Sequence, residues 1–318
     1  MEKRLVGSGL LAGAIAGTLA FLLARVMAEP VIGRAIEYED GRADVASAHG
    51  VHDHGVELFT RAVQANAGLG FGMLIFGVAM GSLFAVLFSV TYGRVGSIGP
   101  QAFSILLSIG VFVALYLVPF LKYPANPPAV GHTDTIGART GWYLVMVLSS
   151  VLLAAGAAWL ARKLVSRIGA WNAGLTAVAV YVLAIALVML VLPNVDEAPE
   201  PMRDASGVIV YPGFPADVLY DFRLASVGIQ LVLWMTIGLV FSMFAGRLLV
   251  ERAEGGRPRV SRRDRSRAAD PGVARNDRCH GGRAFSRRRA AQRRGAPTCS
   301  NRRGWPGHQS TNPRTLRA

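Results

Sequence analysis

Six long stretches of this sequence contain no aspartate, glutamate, lysine or arginine. They cover residues 5–24, 62–93, 95–121, 140–161, 168–195 and 224–246. A helix rises about 1.5 Å per residue, so about 20 residues cross the roughly 30 Å of bilayer hydrocarbon. Helices of soluble proteins keep a charged face toward water, and these stretches offer none. The sequence therefore predicts an all-α fold: a polytopic membrane helical bundle of about six transmembrane helices.

The predicted spans are approximately residues 5–27, 65–90, 101–121, 141–161, 170–192 and 224–246. The first could instead be a signal peptide, but the apolar core of such a peptide has only about 7–15 residues, so we interpret it as a retained helix. Glycines stand four residues apart at Gly9, Gly13 and Gly17, at Gly68 and Gly72, and at Gly77 and Gly81. This spacing places small residues on one helix face and predicts close packing between helices of the chain.

The net positive charge is confined to the C-terminal tail. Residues 1–250 hold 15 basic and 15 acidic side chains, whereas residues 251–318 hold 19 arginines and five acidic residues. The tail has too few aliphatic residues to offset the entropy lost on ordering. We predict a transmembrane domain over residues 1–250 and a disordered, Arg-rich tail over residues 251–318. The tail is either an out-of-frame extension of the gene or a genuine segment that touches anionic lipid. Lipid is a nearer partner than nucleic acid, because the tail is attached to a membrane domain.

The basic residues near the spans predict the orientation. Those in the short segments stand close together, at Lys3, Arg4, Arg94, Arg162, Lys163 and Arg167. Basic residues near the ends of spans favour the cytoplasmic side, so we expect both termini in the cytoplasm. The three longer connections, between spans 1 and 2, 3 and 4, and 5 and 6, are then outside.

The first long connection is rich in imidazole and carboxylate groups, which suit a divalent transition metal. They are His49, His52, Asp53, His54 and Glu57. No fixed ligand spacing is present, so a solvated loop that holds these residues by chance is the alternative. Both cysteines, Cys279 and Cys299, lie in the tail. Without thiolates, cobalt, nickel or zinc suits the loop better than Cu(I).

The second long connection contains three prolines that hold the backbone in an extended course. It offers Lys122, Asn126, His132 and Asp134 as polar groups, either for binding or as an interfacial cap. The third is acidic at Asp196, Glu197 and Glu200, and Asp217 and Asp221 would share a face if helical. Gln230 is polar at membrane depth and is a candidate for the bundle interior.

No phosphate-binding P-loop, nucleophile elbow or HExxH motif occurs, so nothing in the sequence indicates an enzyme.

Several of these strings together resemble the CbtA family of proposed cobalt-transporter subunits. They are Glu29-Pro30, the His-bearing loop, VPFLKYPANPPAV at residues 118–130, DTI at 134–136, RT at 139–140, FPAD at 214–217 and FRLASVG at 222–228. The resemblance covers about residues 1–250. Family-like positions of unassigned role are Glu29, Lys122, Asn126, Arg139, Arg223 and Gln230. The family is usually described with five spans, whereas the charge-free stretches here indicate six.

The resemblance implies a membrane subunit for uptake of a divalent metal, with Co²⁺ as the transported ion and no permanently bound cofactor. It also implies a small single-span, His-rich partner, CbtB, and a place in the bacterial inner membrane. The resemblance further implies a link to cobalamin biosynthesis. His49, His52 and His54 are the expected capture residues, with Asp53, Glu57, His132 and Asp134 as further candidates. A non-transporting membrane scaffold or assembly protein, or a transporter of another solute, are the alternatives.

Overall fold

The computed structural model describes residues 2–48, 60–94, 96, 98–131, 135–195 and 197–255. We number six helices in chain order. They are α1 (Glu2–Met27), α2 (Glu29–Ala48), α3 (Arg61–Val63, a π-turn at Gln64–Gly68, then Leu69–Thr91), α4 (Pro100–Phe112, a π-turn at Val113–Leu117, then Val118–Lys122), α5 (Ile136–Val191) and α6 (Ala216–Gly255). Two short antiparallel strands, β1 (Met202–Arg203) and β2 (Ile209–Tyr211), lie between α5 and α6.

Five of these helices, α1 and α3–α6, are long and apolar enough to cross a membrane. The fourth of them, α5, has 56 residues, far more than one span needs. Gly169 interrupts it with φ 78° and ψ 163°, a conformation that only glycine adopts readily. The two arms, residues 136–168 and 170–191, then lie side by side, because the Ser150 and Tyr181 hydroxyl oxygens are 2.8 Å apart. Five long helices therefore provide six spans, and the predicted membrane bundle is confirmed.

Helices α1 and α3 pack backbone to backbone through glycine. A Cβ built on Gly17 would lie 2.6 Å from the carbonyl oxygen of Met73, and one on Gly77 would lie 2.7 Å from the Cα of Gly17. Gly9 and Gly13 make equally close approaches to α3. The predicted glycine packing is confirmed for these positions. It is wrong for Gly68, where a Cβ would meet only the carbonyl oxygen of Val63 in the same helix, and for Gly72, where it would meet nothing within 4 Å.

Aromatic and aliphatic side chains of α1, α3, α4 and α6 form the main core. The ring of Phe241 lies 5.3 Å from that of Phe84 and 5.0 Å from that of Phe88, both edge to face. Such pairs contribute about 0.5–1.5 kcal/mol beyond their buried area. Ser104 of α4 donates a hydrogen bond of 2.9 Å to the carbonyl oxygen of Gly238 in α6. These contacts join α6 to both α3 and α4.

The outer surface of the bundle is apolar, most clearly along α5. Leu152 is 70% exposed, Leu183 is 72% exposed and Leu190 is 83% exposed. Soluble monomers rarely leave so much contiguous apolar surface in water. These side chains face the position that lipid would occupy.

The π-turn in α4 has a cause in the sequence. Pro119 follows it after one residue, Val118, and has no N–H group, so it cannot donate to the carbonyl four residues earlier. The wider turn at Val113–Leu117 accommodates that missing bond.

The three long connections meet at one end of the bundle, which we call the long-loop end: residues 28–60, 123–135 and 192–215. Arg42 of α2 donates to the carbonyl oxygen of Glu200 at 2.9 Å. Tyr38 donates to the carbonyl oxygen of Pro212 at 3.0 Å, and Tyr211 donates to that of Tyr38 at 3.2 Å. The predicted grouping of these connections on one side is therefore correct. Much of the first connection is the helix α2.

Helix α6 extends beyond the predicted final span at both ends. It begins at Ala216, so that Asp217 and Asp221 both lie on this helix, and it ends at Gly255. Residues 251–255 of the predicted tail belong to this helix, and residues 256–318 lie outside the described residues.

Candidate functional site

A buried carboxylate, Glu197, lies at the centre of the polar network of the long-loop end. Its side chain is only 1% exposed, and its Oε2 lies 2.7 Å from Nη1 of Arg139. Thr135 donates from Oγ1 to Oε1 at 2.9 Å, and Asn126 donates from Nδ2 to Oε2 at 3.4 Å. A buried carboxylate without partners would cost several kcal/mol, and these three donors offset that penalty.

Local structure explains why these groups converge. Thr135 precedes α5 and Arg139 lies one turn further on, so both reach the same side of the helix. The first turn of α5 carries unpaired backbone N–H groups, which favour a negative charge nearby. Glu197 comes from the extended segment after the second arm, between Pro193 and Pro199. The helix start and this segment together form the site.

The Pro-rich connection links this site to α6. Arg139 donates from Nη2 to the carbonyl oxygen of Pro124 at 2.8 Å. Arg223 of α6 donates from Nη2 to Oδ1 of Asn126 at 3.1 Å. Asn126 therefore accepts from one helix while it donates to Glu197, so α5, α6 and both connections share one network.

A second pair of bonds fixes the same connection to the third one. Lys122 donates to Oδ1 of Asn194 at 2.6 Å, and Tyr123 donates to the carbonyl oxygen of Pro193 at 2.8 Å. Tyr123 is 4% exposed, and burial raises the pKa of its hydroxyl above the usual value of about 10. It is therefore a neutral hydrogen-bond donor at physiological pH.

Three cavities meet at Arg139. One of about 130 Å³ contains Asn126, Glu197 and Arg223 in its wall. Another of about 330 Å³ extends toward the aromatic side chains Tyr116 and Tyr143. The third, of about 390 Å³, is bounded by α2, the prolines of the second connection and the start of α5. Arg139 thus lines three open volumes.

Two further arginines form ion pairs at the same end. Arg61 donates a short hydrogen bond to Oε1 of Glu29 and so joins the start of α3 to the start of α2. Arg34 contacts Asp217 at 3.2 Å and Asp221 at 2.7 Å, which confirms that these two aspartates share a face of α6. The contacts of both arginines hold α2 against the bundle.

The structure brings together three of the six family-like positions. Asn126, Arg139 and Arg223 belong to the Glu197 network, while Lys122 and Glu29 make the separate contacts described above. Gln230 is half-buried in α6, seven residues beyond Arg223 and so about 10 Å deeper along the helix. The metal candidates His49, His52, Asp53, His54, Glu57, His132 and Asp134 all lie outside the described residues.

No sequence motif distinguishes Glu197 from its acidic neighbours. Its place between Pro193 and Pro199, directly after a span, is a signal that it shares with Asp196. Within the described ranges, no three histidine, cysteine, aspartate or glutamate side chains are placed to hold a metal ion. What the described site offers a cation is one carboxylate with hydroxyl, amide and carbonyl oxygens around it.

Comparison with known proteins identifies the family of this chain. A family model described as "Probable cobalt transporter subunit (CbtA)" matches residues 2–246. No curated protein and no solved structure matches the chain. The matched segment includes all six spans and every residue of the Glu197 network. The chain therefore belongs to the CbtA family of probable cobalt transporter subunits, and it has the multi-pass helical architecture of a membrane transport protein.

Proposed function

We propose that this chain is the membrane-spanning subunit that takes up a divalent metal ion, cobalt, into the cell. The family match over residues 2–246 carries the proposal. The bundle supports it, because an apolar exterior surrounds six spans and polar groups collect at one end. Cobalt is the cargo in this proposal, not a resident cofactor.

The histidines of the first long connection are the proposed capture groups. His49, His52 and His54 belong to the segment that joins α2 to α3. Both described ends of that segment are at the long-loop end, where Arg61 pairs with Glu29. Imidazole binds Co²⁺, Ni²⁺ and Zn²⁺ well, and Asp53 and Glu57 add carboxylates.

The long-loop end faces the outside of the cell in this proposal, and both termini are cytoplasmic. The short connections at the opposite end support this orientation, since Arg94, Arg162, Lys163 and Arg167 lie there. The membrane is the bacterial inner membrane, as the resemblance implies.

A partner subunit completes the transporter. The family description calls its members subunits. We propose a small single-span, His-rich membrane protein as that partner. Co-purification from the native host, with a tag on this chain, would identify it. Recovery of the chain alone under mild detergent would contradict the pairing.

Cobalt accumulation in the native host tests the proposed function. Cells that lack the gene and other cobalt importers should accumulate less Co²⁺ than the same cells with the gene restored. The triple variant His49→Ala, His52→Ala, His54→Ala should raise the half-saturating Co²⁺ concentration more than it lowers the maximal rate, because the path through the bundle is unchanged.

The matched control replaces the two tail histidines, His280→Ala and His308→Ala, which lie outside the matched segment. It should behave like the unmodified chain. Equal cobalt content with and without the gene, at every external concentration, would contradict the transport role. An unchanged uptake curve for the triple variant alone would remove these histidines from the mechanism.

A further inference from the structure

Glu197 differs from every other acidic residue that the structure describes. It is the one acidic side chain buried within the described ranges, at 3% residue exposure. The carboxylates of the other ion pairs, Glu29, Asp217 and Asp221, are 12%, 71% and 45% exposed. A carboxylate is rarely fully buried without a reason, because desolvating it costs several kcal/mol.

The partner of Glu197 is placed so that it can leave. The side chain of Arg139 is 26% exposed, compared with 1% for Glu197. Arg139 lines all three cavities at the site, so open space adjoins this residue on more than one side. The cation of this pair can therefore move, while its anion is enclosed.

Two oxygen atoms converge on the position that the guanidinium occupies. Nη1 of Arg139 contacts Oε2 of Glu197 at 2.7 Å, and Nη2 donates to the carbonyl oxygen of Pro124 at 2.8 Å. If the guanidinium moved away, a carboxylate and a carbonyl would both face the vacated volume. Oxygen groups of these two kinds bind divalent cations, and water can complete the coordination.

Such a site would hold cobalt only weakly, which suits a point of transit. Oxygen ligands bind late first-row metals less tightly than imidazole or thiolate do. An ion must bind well enough to enter and weakly enough to leave. The prolines on either side, Pro124 and Pro193, make the oxygen positions rigid before an ion arrives.

The third cavity has a second carboxylate in its wall. Glu39 of α2 and Arg139 both border this cavity of about 390 Å³, together with Arg42. Glu39 is exposed and makes no ion pair with another described residue. A rotation of the Arg139 side chain into this volume would move its guanidinium away from Glu197 and into a cavity that Glu39 also lines.

We propose that Glu197 and the Pro124 carbonyl form a transit site for a divalent cation, and that Arg139 occupies this site when no ion is there. The arriving cation and the arginine compete for one carboxylate. This inference rests on the proposed function, since it assigns the ion's path at the same end of the bundle. Arg139 then acts as a gate that the cargo itself displaces.

Competition predicts opposite effects for the two partners. In the native host, Glu197→Gln should raise the half-saturating Co²⁺ concentration about tenfold, because a neutral amide binds the ion poorly. Arg139→Gln should lower that concentration by about tenfold, because the ion no longer competes with the guanidinium for Glu197. It should also lower the maximal rate, because the ion then leaves the site slowly. An opposite charge within 4–6 Å changes the affinity of a carboxylate for a proton by about tenfold or more, and we expect a similar effect on a metal cation.

Two substitutions at the same end serve as matched controls. Glu200→Gln removes an exposed carboxylate three residues from Glu197, and Arg203→Gln removes an exposed guanidinium that bonds only the carbonyl of Gly207 among the described residues. Both should give the uptake curve of the unmodified chain. A monodisperse elution profile after detergent extraction should accompany each variant.

A structural ion pair without a transit role predicts a different result. Glu197→Gln and Arg139→Gln would then both lower the maximal rate by loss of folded protein, without opposite shifts in the half-saturating Co²⁺ concentration, and that outcome would overturn the proposal. If Arg139→Gln does not insert, Arg139→Lys replaces it. Lysine keeps the charge but cannot contact both oxygens as a fork, so the half-saturating concentration should fall by a smaller factor.

Binding to the purified chain separates this inference from the proposed function. The full-length triple histidine variant, titrated calorimetrically with CoCl₂, should still bind one weak Co²⁺, and adding Glu197→Gln should abolish that binding. Binding that persists with Glu197→Gln overturns the transit site even if the gene restores cobalt uptake. Binding that depends on Glu197, in a chain that does not restore uptake, supports the site and rejects cobalt transport instead.

Discussion

Gly13 of α1 and Gly77 of α3 lie against each other with no side chain between them. A Cβ built on Gly77 would be 2.5 Å from the carbonyl oxygen of Gly13, closer than real Cβ atoms approach. Inside a membrane, van der Waals packing of this kind is a main source of helix association. The α1–α3 pair therefore depends on glycine at these positions.

Substitution of Gly13 should weaken the bundle. We expect Gly13→Ala to lower the free energy of unfolding by about 1–3 kcal/mol, because the added methyl group forces two backbones apart. Thermal unfolding of the detergent-purified chain measures this change. Gly72→Ala is the matched control in α3, where a Cβ would meet nothing within 4 Å. A loss of stability in the control equal to that of Gly13→Ala would contradict the packing argument.

The side-by-side packing of the two arms of α5 should depend on the turn at Gly169. Its φ of 78° and ψ of 163° are strained for any residue with a Cβ. Gly169→Ala should therefore cost about 1–3 kcal/mol of stability. Gly156→Ala in the first arm, where the space around the Cβ is open, should cost nothing and serves as the control. Thermal unfolding again provides the measurement, and equal melting temperatures for the two variants would contradict a glycine requirement at the turn.

The pKa of Tyr123 predicts a stability effect at alkaline pH. Burial raises this pKa in the folded chain, so the folded state holds the proton more tightly than the unfolded state does. The resulting stability is fully present below the unfolded pKa of about 10 and is lost as pH rises through the folded pKa.

Tyr123→Phe should remove this contribution together with the hydrogen bond to Pro193, which is worth about 1 kcal/mol at neutral pH. Denaturation of both proteins between neutral pH and pH values above about 10 measures the difference in stability. That difference should shrink as pH rises. A constant difference over the whole range would show that the hydroxyl does not titrate differently in the two states.

The proposed orientation can be measured by cysteine labelling. In a chain with Cys279→Ser and Cys299→Ser, a cysteine introduced as His132→Cys should react with a membrane-impermeant reagent added outside. Ser166→Cys, at the opposite end of the bundle, should be protected until the membrane is opened. Labelling of position 166 but not position 132 in intact cells would invert the topology.

Removal of the tail tests the division of the chain. The family match ends at residue 246 and α6 ends at Gly255, so the spans and the Glu197 network need nothing further. Each tail arginine near an anionic leaflet adds only about 1 kcal/mol of attraction. Truncation after Gly256 should leave membrane insertion and cobalt uptake unchanged. A truncated protein that inserts but no longer takes up cobalt would show that the tail has a role.

Much of the fold was predictable because hydrophobicity acts locally. Each charge-free stretch must avoid water whatever the rest of the chain does, so the number of spans follows from the sequence. An even number of crossings separates the long connections, so their grouping at one end follows from the span count. The shared face of Asp217 and Asp221 follows from helical periodicity alone.

The packing of particular glycines was only partly predictable. Gly72 and Gly77 have the same spacing signal in the sequence, yet only Gly77 faces another backbone. Spacing places residues on one face of a helix, but the neighbouring helix decides which face is covered. The turn between spans 4 and 5 also differs from expectation, because a single glycine conformation at Gly169 replaces a loop.

The sequence by itself determined the membrane class, the six spans and the ends at which polar groups collect, because these follow from the free energy of placing each segment in lipid. Only the tertiary structure decided that Glu197 would be the centre of the site. Its partner Thr135 is 62 residues away in sequence, and the bond between Asn126 and Arg223 spans 97 residues. Contacts at such separations form when helices pack, so no local pattern in the chain encodes them.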